Sequence, residues 1–524
     1  MTRNVQALAT LVALTSLVAA GCGGNKDDGT DGTTDTDTDT DTTTDTPTTD
    51  TTDTATTTDA DIVDLQVVPG DIPGVMIATF TSTEGTPRVE YGLDATLGTS
   101  TPAGASGTSH EIVVLGVKTG KTYQFQAVVE TASGEERSAL VEARVDSADV
   151  SVPLWDLLSE DESKQCTPGG FVLVSHIGAN NSGVMIIDRD GDIVWSQPAP
   201  PPPDDCPTIT YHQVSRVRPG PTADAITYTT ADGDRIQQCG TIVEQPMDGS
   251  ASTTTFTDVS HHDFVILPDN SYGWLGYDFG PYDNCLEKGM TLKSTAVDIV
   301  ATSPRGGANN EATEVFNSFT DYGNPLKCDF NDENFLQAAG YFDLTHANSL
   351  MYRESDDAFF MMWRWHDNLI KIDRATGDKV WEFGGTYSDF TPAKGQDPAE
   401  LYNHSHMSEI WDGGLFIFNN NDYGPDDPGP SYVQEYALDE TNMTYEVTWN
   451  WNTGGFENLL GDARRMPYTD CDNVIISLSR SGIVQEMTRD EEVVWQAGMP
   501  IGNVSSRVHF IPDIYDMTTG LYPE

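Results

Sequence analysis

The chain has 524 residues, 82 of them acidic and 27 basic, for a formal net charge of −55. So acidic a surface excludes binding to nucleic acid or anionic lipid through a general field. Because screening confines long-range repulsion to about 8–10 Å, an anionic substrate is admissible only at a local positive site.

Residues 1–22 read as a secretory signal. Arg3 supplies a basic start, Val5 to Val18 is an apolar run, and Ala19, Ala20, Gly21 and Cys22 close it. The apolar core is too short to span a bilayer and polar chain follows it. A cysteine directly after small residues resembles a bacterial lipobox, which implies cleavage before Cys22 and lipid on its sulfur. The expected product is exported and lipid-anchored to a bacterial membrane, on its periplasmic face or at the cell surface. Residues 23–60, rich in alternating Asp and Thr, carry almost no apolar side chain. Such a segment cannot bury enough surface to offset chain entropy and repels itself, which predicts a disordered, extended tether.

Setting Cys22 aside leaves Cys166, Cys206, Cys239, Cys285, Cys328 and Cys471. An even number in an exported chain predicts disulfides and leaves their pairing open. No spacing is of the CxxC kind that marks a zinc site. The remaining chain, about 460 residues, has room for one small and one large domain.

Residues 61–149 read as short strands, among them "VMIATFTS", "SHEIVVLGV" and "KTYQFQAVVE", with Gly, Pro and Thr turns between them. The run "LGVKTGKTYQFQAVV" resembles the part of a fibronectin type III domain in which a tyrosine, here Tyr123, makes the corner contact. A fibronectin type III-like β-sandwich serving as a spacer is expected.

Residues 150–524 contain a repeat. "GVMIIDRDGDIVWSQ" (Gly183 to Gln197), "LIKIDRATGDKVWEFGG" (Leu369 to Gly385) and "GIVQEMTRDEEVVWQAG" (Gly482 to Gly498) are copies of one unit, and Tyr432 to Trp451 is a looser one. Gly240 to Asp258 and Ser294 to Phe316 are degenerate copies. Each is a strand, an Asp/Gly-rich turn and a second strand, a hairpin that cannot bury its apolar face alone. With further strand candidates between the copies, about four strands per unit and about six units predict an all-β fold, a six-bladed β-propeller. Amphipathic helical periodicity is nearly absent, which argues against a doubly wound α/β fold.

Five of the 10 histidines fall in "SHHDF", "DLTHANSLMY" and "YNHSHMSE". His262, His346 and His406 each precede a strand that follows a hairpin. Equivalent positions of successive blades face the central axis, so these side chains are expected to meet there. His261, His366 and His404 are expected to support them. Three histidines also suit a zinc or copper site, but Arg364 beside them would repel a cation, and no metal or other cofactor is expected.

"DLTHANS", followed by Arg364 in "MMWRWHDNLIKIDRATGDKVWEFGG", closely resembles the bacterial arylsulfate sulfotransferase family. "SHHDFVILPD", "YNHSHMSEIWDGGLFIFNN" and "DARRMPYTDCDNVIISLSRSGIVQEMTRDEEVVW" are similar to further segments of that family, in the same order. The resemblance implies nucleotide-independent transfer of a sulfuryl group from an aryl sulfate ester to a phenol, by a ping-pong cycle through a transiently sulfated histidine. Carried over by motif, His406 is the nucleophile, with His262, His346 and Arg364 around the sulfuryl group. Asn348, able to orient an imidazole or donate to a sulfuryl oxygen, and His404 are expected to bind substrate. A small-molecule donor and acceptor, no nucleic acid, and contact with a membrane through the lipid follow; homo-oligomerisation stays open. Neutral imidazole suits a nucleophile near pH 7, and an arginine fork suits the sulfuryl oxygens. Departures from the family pattern are Ser405-His406-Met407 in place of Gln-His-Asp, the greasy surroundings of Arg364, and Ser431-Tyr432 where an arginine is usual. The competing expectations are a non-catalytic propeller lipoprotein that binds a ligand or surface partner, and a metal-dependent hydrolase.

Overall fold

The computed structural model describes residues 62–178, 181–201, 212–232, 239–328, 340–396, 401–422, 429–466 and 471–520. The expected signal, Cys22, the Asp/Thr-rich tether and Cys206 lie outside them.

The strands beyond Val152 form a six-bladed β-propeller. Blade I holds Phe171–Ile177, Ser182–Ile187 and Ile193–Pro198. Blade II holds His212–Pro219, Ala225–Asp232, Gly240–Pro246 and Thr253–Asp258; blade III holds Ser260–Ile266, Tyr272–Tyr282, Leu292–Ser303 and Thr313–Asn317. Blade IV holds Ala347–Arg353, Ala358–Trp363, Asn368–Asp373 and Lys379–Gly384. His406–Trp411, Gly414–Asn419, Tyr432–Asp439 and Thr444–Asn452 build blade V. Asp462–Arg465, Val474–Leu478, Ile483–Met487 and Val493–Gly498 build blade VI. Every repeat copy read from the sequence is the outer hairpin of one blade.

The tryptophans that close the repeats explain why the hairpins recur. Each reaches the turn of the following blade: Trp195 Nε1 donates to Met247 O (3.1 Å), Trp449 to Arg489 O (3.2 Å) and Trp495 to Arg189 O (2.7 Å). Trp381 donates to the Glu440 carboxylate at 2.9 Å. Blade II, without a tryptophan, uses Thr255 Oγ1 to accept from Gly306 N–H at 2.8 Å. The apolar clusters lie between neighbouring blades. Leu275 and Val300 of blade III pack with Phe359 and Trp363 of blade IV, and Phe416 of blade V with Ile476 of blade VI. Middle strands are therefore buried on both faces, which is why they read as unbroken apolar runs.

Two distant segments close the ring. Val504–Ile511 becomes the innermost strand of blade I by pairing antiparallel with Phe171–Ile177, and Asp156–Glu160 adds a fifth strand to the outside of blade VI. The Cys166–Cys471 disulfide (Cα–Cα 5.7 Å) ties chain beside that outer strand to blade VI, and Cys285–Cys328 (Cα–Cα 5.6 Å) ties blade III to the segment after it. Cys239 is disulfide-bonded as well.

Between Val63 and Arg144, seven strands are joined through the long strand Met76–Gly92 over a core that includes Phe80, Tyr91 and Phe125. The Tyr123 hydroxyl accepts from the Lys118 N–H at 3.1 Å. This unit abuts blades I and II: Ile72, Val75 and Leu115 share a cluster with Val184, Trp195 and Val217. Lys118 Nζ also reaches Asp188 (3.1 Å), Asp192 (2.7 Å) and Asp190.

Candidate active site

The first strand of each blade, with Val504–Ile511 standing for blade I, contacts its counterparts around the axis. These strands carry register shifts at Val214/Arg216, Ser260/Phe264, Ala347/Ser349, His406/Ser408 and Ser505/Val508. A bulge breaks strict alternation and lets polar residues turn toward the axis. Further along the strands the axis is filled by polar side chains. Asp263 accepts from Arg218 Nη2 (3.2 Å), Leu350 N–H (3.0 Å) and Arg507 Nη2, and Arg507 also bonds Ser349 Oγ (3.2 Å). Arg507 comes from blade I and Ser349 from blade IV, so these contacts cross the centre.

The histidines stand next to this layer. His262 and His346 both have φ 52°, left-handed backbone that a non-glycine residue adopts only under constraint. The constraint at His346 is visible: Asp298 Oδ2 accepts from Ala347 N–H at 2.6 Å, and the His346 carbonyl accepts from Arg364 N–H at 3.1 Å. The two imidazoles meet edge to face, 5.0 Å between centroids. His346 Nδ1 bonds the buried Asp343 carboxylate. His262 Nδ1 lies 2.8 Å from His261 Nδ1; His261 stacks on Tyr277 (3.8 Å) and stands 2.9 Å from Asp298 Oδ1.

His406 is 3% exposed. Its Nδ1 lies 2.7 Å from Asn420 Oδ1. Asn420 Nδ2 donates to the Glu457 carbonyl (2.5 Å) and the Leu460 carbonyl (3.0 Å), which fixes the amide with its oxygen toward the ring. His406 Nδ1 must then carry the proton, and Nε2 presents its lone pair. Burial, then the charge of Arg364, then those of His346 and Arg216 push the His406 pKa well below the usual histidine value, against the opposing Asn420 bond. His262 is lowered in the same way by burial, His261, His346, Arg216 and His406. These mutual influences, with the His262–His346 contact and the Asn348–Ser405 bond, bring His262, His346, His406, Arg364 and Arg216 close together at the axis.

Arg364 stacks on Trp365 (4.3 Å) and pairs with Asp422 at 3.2 Å. His404 is turned aside: its Nδ1 bonds the Asp422 carbonyl and Asn403 Oδ1 (3.0 Å), and it meets the edge of Trp365. Asn348 Nδ2 donates to Ser405 O at 2.7 Å, which ties blade IV to the segment that carries His406. His366 bonds Leu344 O at 3.0 Å, and burial pushes its pKa down to about 4. Ser431, where the resemblance leads one to expect arginine, accepts from Glu457 N–H (2.9 Å) and donates to Asn420 O (2.8 Å), so it braces the residue that orients His406. Sequence reasoning gave no role to Asp343, Asn420 or Arg216. Asp343 lies inside the quoted "DLTHANS", the signal that was there to be read.

Among the described residues, the groups of three possible metal ligands are Cys166, Cys471 and Glu486, and Asp188, Asp190 and Asp192. The first has its sulfurs in a disulfide and the second holds Lys118.

A family model described as "Arylsulfotransferase (ASST)" matches residues 158–497. No curated protein matches the chain. Similar solved structures include a Pseudomonas aeruginosa periplasmic gluconolactonase (10% identity, 82% of this chain and 99% of that one, TM-score 0.31). Another is AztD of Citrobacter koseri (6% identity, 85% and 97% coverage, TM-score 0.26). Scores this low carry no argument about this chain.

Proposed function

Since the chain belongs to the arylsulfotransferase family, we propose that it moves a sulfuryl group from an aryl sulfate to a phenol by a nucleotide-independent ping-pong cycle through His406. Family membership makes it a sulfotransferase of small aryl substrates and does not favour the non-catalytic alternative. The observation that carries the finer reading is the fixed tautomer of His406, a buried imidazole with its proton on Nδ1 toward Asn420 and its lone pair on Nε2, in the company of Arg364, His346 and His262.

In the first half-reaction, Nε2 of His406 attacks sulfur, the S–O bond to the aryl group breaks, and its electron pair leaves on the phenol oxygen. His346, steadied by Asp343, delivers the proton that oxygen needs. Arg364 and the His262 ring bear on the charge of the non-bridging oxygens. In the second half-reaction an acceptor phenol yields its proton to His346, its oxygen attacks sulfur, and the N–S bond breaks. Burial of His406 keeps water from the sulfated form. Asn348 and His404 hold the walls through Ser405 and Asp422.

We place the enzyme outside the cytoplasm, lipid-anchored at Cys22, with a fibronectin type III-like spacer at 61–149. The two described disulfides suit an oxidising compartment. Incubation with donor alone tests the cycle: intact mass should rise by one sulfuryl group, and His406→Ala should abolish the rise. Full turnover by that variant would reject the nucleophile.

A further inference from the structure

Six arginines are buried among the described residues: Arg189, Arg216, Arg353, Arg364, Arg464 and Arg507. Five have a carboxylate within ion-pair distance: Arg189 with Glu486, Arg353 with Glu440 (2.7 Å), Arg364 with Asp422 (3.2 Å), Arg464 with Asp462 (2.9 Å) and Arg507 with Asp263. Arg216, 1% exposed on the inner strand of blade II, forms no ion pair among the described residues. Its Nη1 donates to Ser215 O (2.7 Å) and Ser506 Oγ, its Nη2 lies 3.4 Å from Asn348 O, and its buried Nε has no partner. Asp462 and Asp263 are already bonded to Arg464, Arg218 and Arg507. A guanidinium taken out of water without a counter-ion is a costly arrangement unless something else brings the negative charge. In a protein of net charge −55, a buried cation at the axis with no ion-pair partner among the described residues is unusual.

Its position says what it is for. Its Nη2 lies 3.4 Å from Asn348 O, and Asn348 in turn bonds Ser405 O next to His406. The guanidinium thus stands beside the histidines on the side of blade II, where its charge acts on His262 and His406, while Arg364 reaches them from blade IV. Burial, opposed by Asp462, lowers its pKa to about 9, which leaves it charged at neutral pH.

We propose that Arg216 is a second anion-binding residue of the axial site, whose missing counter-ion is the sulfuryl group itself. Non-bridging oxygens of the donor, and then of sulfated His406, accept from its free Nε–H and Nη groups while Arg364 holds them from the other side. This rests on the proposed function for the sulfuryl group, but the anion site itself does not.

The test uses the whole protein and inorganic sulfate as probe, at constant ionic strength set with sodium chloride. Wild type should show a saturable rise in Tm with sulfate. Arg216→Met should begin at a higher Tm without sulfate, because a desolvated charge without an ion-pair partner is gone, and should lose the saturable rise. Its phenol burst with an aryl sulfate should fall about 10²–10³-fold. Arg216→Lys, which keeps the charge without the fork, should recover part of both, and it serves alone if the methionine variant does not fold. A saturable rise retained in the variants with a burst within about threefold of wild type overturns the inference, as does a wild type with no saturable rise. A rise that depends on Arg216 in a protein showing no burst with any aryl sulfate keeps the anion site and removes the catalytic reading.

Discussion

Asp343→Asn is the substitution that most directly probes proton delivery. Asp343 is 1% exposed and its carboxylate bonds Nδ1 of His346. An imidazolium hydrogen-bonded to a carboxylate has its charge centres about 4 Å apart, worth about 4 kcal/mol at an effective dielectric near 20. Asparagine keeps the shape and removes the charge, so the protonated form of His346 loses support of that order. Converted to rate, about 4 kcal/mol is about 10³-fold, inside the range of about 10²–10⁴ typical of general acids. The loss should track the leaving group. A donor releasing a simple phenol needs the proton as its S–O bond breaks. One releasing a strongly acidic nitrophenol does not, and should suffer less than about tenfold. Rapid-mixing measurement of the phenol burst across a series of aryl sulfates reads this as a steeper dependence on leaving-group acidity in the variant. Equal loss for all donors would refute the proton-donor role and reduce Asp343 to a support for the backbone.

Three further outcomes follow from the same structure. Since burial and Arg364 hold the His406 pKa well below its ordinary value of about 6.5, protonation disables the nucleophile only at more acid pH. The burst rate, in so far as His406 limits it, should stay level from pH 7.5 to 6 and fall below that; an acid limb centred at 6.5 or above contradicts the assignment. Asn420→Ala frees the ring of His406 and leaves the Glu457 and Leu460 carbonyls without this donor. It should cost about 2–4 kcal/mol of stability in denaturant titration and slow the burst without changing its leaving-group dependence. Replacing Cys166 and Cys471 by serine opens a loop of 305 residues, and the same change at Cys285 and Cys328 a loop of 43. Chain entropy predicts that the first pair costs more, by about 1–2 kcal/mol; an equal or reversed order in thermal unfolding would show that strain or residual structure decides instead.

Much of the fold was legible because a propeller repeats its local chemistry. The turn and tryptophan of each hairpin exist to dock on the next blade, so Trp195, Trp381 and Trp495 marked three blades by the job they do. The degenerate copies lacked that tryptophan and were legible only through hairpin spacing. What escaped was non-local. Val504–Ile511 is a strand like any other until it meets Phe171–Ile177, which lies more than three hundred residues earlier. In the site, the histidines stood out because nothing in strand packing calls for them. Arg216 and Arg218 did not, since two arginines at alternate positions look like the wet face of a strand; here that face is the axis. In "FNNND", nothing in the sequence says which asparagine turns inward, and the answer, Asn420, depends on carbonyls forty residues away.

The late strand that seals blade I has a temporal consequence. A chain synthesised from its N-terminus can shape five blades while the first remains one strand short. The missing piece brings Ser506, which bonds Arg216, and Arg507, which bonds Asp263 and Ser349. Until it zips in, the floor beneath the histidines lacks its fastenings. Competence toward sulfate esters should thus switch on at the end of maturation, and a molecule clipped before Val504 should be inert however well its remaining blades are formed.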